Sequence, residues 1–521
     1  SPYALENIQV KTWPETLYKT SINLIGRLPT AQEKSNAATE SGYEAVINDY
    51  MNTPEFYTRL KDIFNDTYLV RGASDVADTL NTTNFPSARW YDNDAIVATL
   101  SLNADIGRAK GMAKALTEQA LREEALELIK YIAENNRPMT ELLTANYTMA
   151  NRYSARTYGV HDSITWTNTD IKDDKEFKPV TLTLTGYGHS GLLTSFPFWI
   201  KYPDTNTNLN RHRARYIFDF FLDQDVMLLG TRLSDPNAST GVNPTINNPE
   251  CSICHDVIDP VSNLLFNFMP VARFNPTAPH KTLTDPRFAM KAPGLLDAVW
   301  VTGNKQQWLG TEITTKHQLK FAKSMVRTVY KGVTGHSLME AGIPRQGSHL
   351  TAFVKQEEVV EALANSFIQS NFNVKSLVLN VSKMIYYRAK GLSNIVGDTS
   401  AYLESSSGRP LSPEMLNSKM ISALGFKWTG NMAGTGVEKA LDRGGNGYFS
   451  YLGGIDSVNT TERAKESNSL MLSAHKRLAM EMSCLSAARD FYLPLSSRNL
   501  LTKVERTTVP FDAMGNAISA N

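Results

Sequence analysis

Cys251-Ser252-Ile253-Cys254-His255 is the run of residues whose types and spacing speak most directly of chemistry. Two residues between the thiols put both sulfurs on one side of a helical turn, at a separation suited to the two vinyl groups of a haem. The histidine that follows can then aim a ring nitrogen at the iron. The flanks agree. Asn247-Asn248-Pro249 leads a loop into a helix start, and Asp259-Pro260 reads as its stop. The expected cofactor is one covalent haem c, tethered by Cys251 and Cys254, with His255 as an axial ligand.

Competing uses of these residues are weaker. A zinc site needs four ligands, and the third cysteine, Cys484, lies far downstream with no closely spaced histidine pair to complete a set. A thioredoxin-like redox pair would want a βαβ setting, and a plain disulfide leaves His255 unexplained. Cys484 itself, in Met482-Ser483-Cys484-Leu485, reads as a buried, inert thiol on an apolar helix face. Electron-transfer haems usually take a second protein ligand. Met290, in a loop between Pro286 and Pro293-Gly294, is the first candidate, since a non-helical Met beside a Pro-Gly turn can project its sulfur into a pocket. Met269, before Pro270, is the runner-up, followed by His280, His212 and His189.

The chain that must position these residues has 521 of them, 42% apolar and 20% charged, which excludes a disordered or collagen-like protein. Lys plus Arg is 53 against 52 for Asp plus Glu, a net +1 that favours neither nucleic acid nor an anionic membrane. The longest nearly uncharged apolar stretch, 192–200, falls well short of the ~18 residues that signal a membrane span. The opening Ser-Pro-Tyr-Ala is read as the start of a mature chain after removal of a signal peptide. Haem attachment of this type takes place outside the cytoplasm, so the expected location is periplasmic or extracellular at a bacterial cell surface.

A 3.6-residue apolar period dominates. It appears in Leu121, Ala125, Leu128 and Ile132, with Glu123, Glu124 and Lys130 on other faces. It recurs in Val360, Leu363 and Phe367, in Leu377, Val381 and Met384, and in Met471, Leu478, Met482 and Leu485. Strand signal is thin: Val180 to Thr185 alternates as one hairpin arm, and Tyr448 to Leu452 is a weaker candidate. The expected fold is mainly α, multi-helical, with an embedded c-type cytochrome module and a minor β hairpin. Composition shifts suggest an N-terminal helical domain over 1–165, a mixed connection over 166–245, the haem module over 246–335, a helical module over 336–395 and a C-terminal helical region over 396–521. The run Asp204 to Asn210 resembles half a calcium loop, but lacks its glycine and terminal glutamate, and reads as a polar turn.

Beyond the motif, the sequence resembles the planctomycete-type monohaem cytochrome c family. That resemblance rests on a Cys-x-x-Cys-His-x-x-x-Asp-Pro core, here Cys251 to Pro260, followed by Leu264-Leu265-Phe266-Asn267-Phe268. Upstream, Gly191-Leu192-Leu193-Thr194 and Arg211-His212-Arg213-Ala214-Arg215 match further elements, and Arg137 to Tyr147 is similar to the family's pre-cytochrome helical domain. Downstream, Phe321 to Gly335 and Leu377 to Tyr387 resemble its C-terminal helical module, so the likeness runs from about Ala125 to Ala389. One departure is Met269, where the family usually carries Asp. The resemblance implies a haem and says little about physiological role.

The expected function is that of an extracytoplasmic monohaem c-type cytochrome in electron transfer, as a subunit of a larger assembly. The alternatives are a haem enzyme with an open sixth iron position, or an assembly protein with an auxiliary haem. No G-x-S-x-G, H-E-x-x-H or phosphate-loop motif supports other catalysis. The expected partner is a redox protein or second cytochrome subunit, or another copy of the chain. Between Pro260 and Ala289 the charges are Arg273, Lys281, Asp285 and Arg287, with no lysine ring to steer a diffusive encounter.

Overall fold

Two Thr–Glu pairs show how local sequence starts the first helices. In Trp13–Ile25, Thr12 caps the amide of Glu15 while the Glu15 carboxylate accepts from Thr12 N at 2.8 Å; Thr30 and Glu33 repeat the device for Ala31–Asn36. A computed structural model describes residues 8–80, 84–184, 186–230, 243–269, 273–278, 290–392, 408–430, 440–443, 447–509, 511–512 and 514–517. The chain is mainly α, and its strands form small two-stranded antiparallel pairs.

The chain clusters into two units, each discontinuous in sequence: Ser1–Val10 with Tyr57–Gly332 and Ser337–Ser406, and Lys11–Phe56 with Val333–His336 and Ser407–Asn521. Punctuation along the chain marks where elements end; which elements share a core is decided by burial between residues far apart in sequence.

In the second unit, Pro413–Leu424, Tyr448–Tyr451 and Ser469–Tyr492 close a core that includes Met420, Trp428, Tyr448, Leu452, Met471, Leu478 and Met482. The strand expected at Tyr448 to Leu452 is thus a helical turn. Tyr448 and Leu452, four residues apart, face the same core, a spacing that fits period 3.6 and not period 2. On Ser469–Tyr492 the buried positions run 471, 474, 478, 482, 486 and 490. Cys484 falls between them, so it is exposed rather than buried, as is Leu485.

The first unit is organised around the helix Ile106–Glu134, capped by Asp105, whose carboxylate accepts from Arg108 N at 2.8 Å. Leu121, Ala125, Leu128 and Ile132 are buried as their spacing predicts, but the helix is enclosed on further sides too. Glu123 joins Lys61, Arg71 and Asp62 in a half-buried ionic network. Glu124 is 1% exposed. Its carboxylate accepts from Tyr158 Oη at 2.6 Å and from Phe196 N at 3.1 Å, the latter opening the helix Phe196–Lys201.

Burial pushes Glu124 up to about 7, against the opposing hydrogen bonds from Tyr158 and Phe196. The unfolded chain releases this proton near the ordinary carboxyl value, whereas the folded chain holds it until near neutrality. Between those limits the folded state binds more protons, so stability falls as pH rises, by roughly 3 kcal/mol in all. Glu124→Gln keeps an acceptor oxygen for Phe196 N, turns its NH2 toward Tyr158 Oη, which can accept, and removes the titration. Thermal unfolding between pH 5 and 7.5 is expected to show a smaller loss of stability in the variant than in the parent; equal slopes would refute the assignment.

The strands are short. Ile8–Val10 pairs with Ala389–Leu392, Thr148–Ala150 with Lys178–Val180, Phe268–Met269 with Arg273–Phe274, and Gly294–Leu295 with Ala298–Val299. The arm expected over 180–185 therefore stops at Val180. The amide of Leu182 leaves the ladder and donates to His189 Nε2 at 2.7 Å. Among the described residues no helix is long and apolar enough to cross a membrane.

Candidate functional site

Cys251, Cys254 and His255 stand on the first turns of the helix Pro249–Leu264. Asn248 caps it, accepting from Glu250 N at 2.8 Å, and Pro249 takes the first position, where a missing N–H costs nothing. The expected stop at Pro260 is not one, because the helix runs through it to Leu264. Ile258, Val261 and Leu264 are buried on either side of the proline. Burial of that face outweighs the ~3 kcal/mol that an interior proline withholds.

At 100° per residue, Cys251, Cys254 and His255 fall within an arc of about 100° on the helix. Both thiols are free and partly exposed. Cys254 Sγ donates to Val226 O at 3.4 Å, and burial raises its thiol above the ordinary value. Met227, Leu228 and Leu229, which follow Val226, are exposed, and so is Ile253 between the two thiols. Among the described residues, the neighbourhood of the motif thus presents exposed apolar side chains of the kind a porphyrin face or edge would cover.

His255 is oriented by a second residue of its own helix. Its Nδ1 lies 2.9 Å from Asp259 Oδ1, one turn on. Asp259 is buried and also takes a two-pronged bond from Arg211, Nε at 2.7 Å and Nη2 at 3.0 Å. Burial works to raise the Asp259 carboxyl, but His255 and Arg211 together hold it below the usual carboxylate range. With the proton on Nδ1 facing Asp259, the lone pair of His255 is on Nε2, and the ring remains about a quarter exposed, at 26%.

Arg211 opens the helix Arg211–Leu222, and its three leading arginines divide their work. Arg211 holds Asp259. Arg215 pairs with Asp225, at 3.0 and 2.8 Å, next to the Val226 whose carbonyl receives Cys254. Arg213, turned the other way, is fully buried; it donates to Tyr202 O at 2.7 Å, Trp199 O at 2.9 Å and Phe268 O at 3.2 Å. Its guanidinium lies 4.3 Å over the Trp199 ring, which stacks on Phe268 at 3.7 Å. One helix thus braces the histidine, the second thiol and the segment leaving the motif. Before it, Asp204 Oδ1 accepts from Thr205 N at 2.8 Å and Asn210 N at 2.5 Å, so the run from Asp204 to Asn210 is a polar turn that feeds this helix.

The structure ties the segment of Met290 to the motif helix through the next residue, Lys291. Met290 is fully buried against Leu209 and Phe266. Its neighbour Lys291 pairs with Asp256 at 2.7 Å and receives Asn263 Nδ2 on its carbonyl at 3.0 Å. His189 is buried, with burial pushing it down to about 4, and its Nε2 already accepts from Leu182 N, a bond that removes it as a ligand through that nitrogen. The His212 ring packs edge-on to Tyr216, with centroids 5.1 Å apart. His280 and the Met269 side chain lie outside the described residues. Sequence reasoning took Asp259 for a helix stop and missed its bond to His255; the signal was an Asp four residues after a His on one helix.

The residues fit a covalently held haem: two free thiols and an oriented imidazole on one helix face, beside exposed apolar side chains. Among the described residues, no three His, Cys, Asp or Glu side chains are grouped so as to hold a bare metal ion. A family model described as PSD4, protein of unknown function (DUF1592), matches residues 81–160, a stretch that includes the segment from Arg137 to Tyr147 but not the Cys251–His255 motif. No curated protein and no solved structure matches the chain.

Proposed function

We propose that this chain is an extracytoplasmic monohaem c-type cytochrome that transfers electrons as a subunit of a larger assembly. The observation that carries this reading is the state of His255. Asp259 takes its Nδ1 and leaves Nε2 for a metal, on the same helix face as two free thiols. Cys251 and Cys254 would hold the haem by adding S–H across its vinyl groups, sulfur to one carbon and hydrogen to the other. The haem so held supplies one-electron chemistry at its iron. Cys251 and Cys254 would tether it, His255 would orient it, and the exposed apolar side chains of Met227, Leu229 and Ile253 offer surface it could cover. The sparse charge between Pro260 and Ala289 suits a lasting packed neighbour, a second cytochrome or another copy of the chain, better than a diffusing shuttle.

The test is direct. Protein from a host competent in cytochrome c maturation is run on a denaturing gel and stained for haem peroxidase activity. A stained band at the mass of the chain is expected, and it should survive acid–acetone extraction; loss of the stain on extraction would end the reading.

Met290 is the proposed sixth ligand. Lys291 ties its segment to the motif helix, and its thioether is a ligand type that haem iron takes in electron-transfer cytochromes. Ligation would take that sulfur off Leu209 and Phe266. Thioether sulfur favours Fe(II), so Met290→His is expected to lower the midpoint potential markedly and to abolish the near-infrared band of a Met–iron bond. If Met290 serves only the core, Met290→Ala will cost about 2–5 kcal/mol of stability with an unchanged spectrum.

A further inference from the structure

Haem-bound histidines generally donate their second nitrogen to something, and the identity of that acceptor tunes the iron. Here the acceptor is a carboxylate, placed one helical turn after His255 at 2.9 Å, buried from water and itself gripped at 2.7 and 3.0 Å by Arg211. A neutral peptide carbonyl would fix the ring equally well. A carboxylate does more, because it draws the Nδ1 proton toward itself and leaves the ring richer in electrons at Nε2. A ring so charged favours the more positive iron state. Arg211 opposes this by withdrawing charge from the same carboxylate through both of its oxygens.

Resting on the haem reading above, we propose that Asp259 and Arg211 are opposed positioning residues for His255. Asp259 locks the tautomer and biases the iron toward Fe(III), and Arg211 limits that bias. Neither touches the iron, and each acts through the imidazole. The geometry predicts effects of opposite sign. Removing the negative charge of Asp259 while keeping a hydrogen-bond acceptor makes the ring a weaker donor and raises the midpoint potential. Removing the positive charge of Arg211 leaves Asp259 a stronger acceptor and lowers it. A pair that served packing alone would not separate the two variants by sign.

The experiment uses the full haem-loaded chain. Covalent haem is first quantified by the pyridine haemochrome of the unmodified protein, and its absence would overturn the haem reading on its own. With haem present, redox titrations of Asp259→Asn and Arg211→Gln are compared with the parent. The reduction equilibrium is expected to shift about tenfold toward Fe(II) in Asp259→Asn, or ~59 mV for a one-electron couple, and in the opposite direction in Arg211→Gln. Asp259→Glu, which retains the carboxylate, should move the potential less than Asp259→Asn and serves if the asparagine variant does not fold. Unchanged potentials with haem content intact, or shifts of the same sign in Asp259→Asn and Arg211→Gln, would overturn the inference while leaving the haem reading standing.

Discussion

Replacing both Cys251 and Cys254 with alanine will abolish covalent haem, the largest change that a pair of small substitutions can make in this chain. Both thiols are free and partly exposed on one helix face, and neither is buried in packing that alanine would empty. The double variant is therefore expected to fold with the helix Pro249–Leu264 intact and to give no haem stain on a denaturing gel. Single variants keep one thioether and should stain more weakly. His255→Ala should retain stain, since the tethers survive, but lose the low-spin spectrum. Counting thiols gives an independent measure. The chain has three cysteines, and with haem attached only Cys484 should react with a thiol reagent after denaturation. Because Cys484 is exposed, it should react in the native protein as well. Three reactive thiols in the denatured parent protein would refute attachment.

Much of the fold class was legible because amphipathic helices advertise themselves. Leu121, Ala125, Leu128 and Ile132 are buried on one helix, as are Leu377, Val381 and Met384 along another stretch. The misreadings have specific physical origins. Tyr448 to Leu452 is rich in aromatics, and aromatics suit strands, but the partner that decides the matter is Trp428, whose ring centroid lies 4.7 Å from that of Tyr448. Pro260 reads as a stop because proline lacks the amide N–H, yet Ile258, Val261 and Leu264 continue one buried face past it. Cys484 looked buried because its neighbours are apolar, but it is the helical phase of 478, 482 and 486 that reaches the core. In the candidate site, the motif named Cys251, Cys254 and His255 from their spacing alone. Arg211 could not be named in the same way, because its bond to Asp259 spans 48 residues and exists only once two helices pack. The same holds for the two discontinuous units, which join chain segments hundreds of residues apart.

Arg213→Ala is expected to be the most destabilising single substitution near the site, and the comparison with its neighbours shows why. Arg211, Arg213 and Arg215 look equivalent in sequence, but Arg213 is fully buried, whereas Arg215 is 39% exposed. Arg213 donates to the carbonyls of Trp199 and Tyr202, at the end of one helix, and of Phe268, far along the chain, and fills the space over the Trp199 ring. Its removal leaves those carbonyls buried without donors and opens a cavity against the Trp199–Phe268 stack. Each unsatisfied buried group costs about 1–3 kcal/mol, so with partial relaxation the loss should reach roughly 4 kcal/mol. Arg213→Lys should recover little, since a point charge with a flexible stem cannot span three carbonyls that a planar fork reaches together. Arg215→Ala, which breaks a half-exposed ion pair with Asp225, should cost about 1 kcal/mol or less. Urea unfolding followed by tryptophan fluorescence will separate the three, because Trp199 sits in the affected stack. Phe268 closes the segment that leaves the motif helix, so Arg213→Ala should also reduce the yield of haem-loaded protein, although Arg213 touches none of Cys251, Cys254 or His255. A loss within 1 kcal/mol of that for Arg215→Ala would show that the three carbonyls find other donors, and would move the brace for this segment elsewhere in the fold.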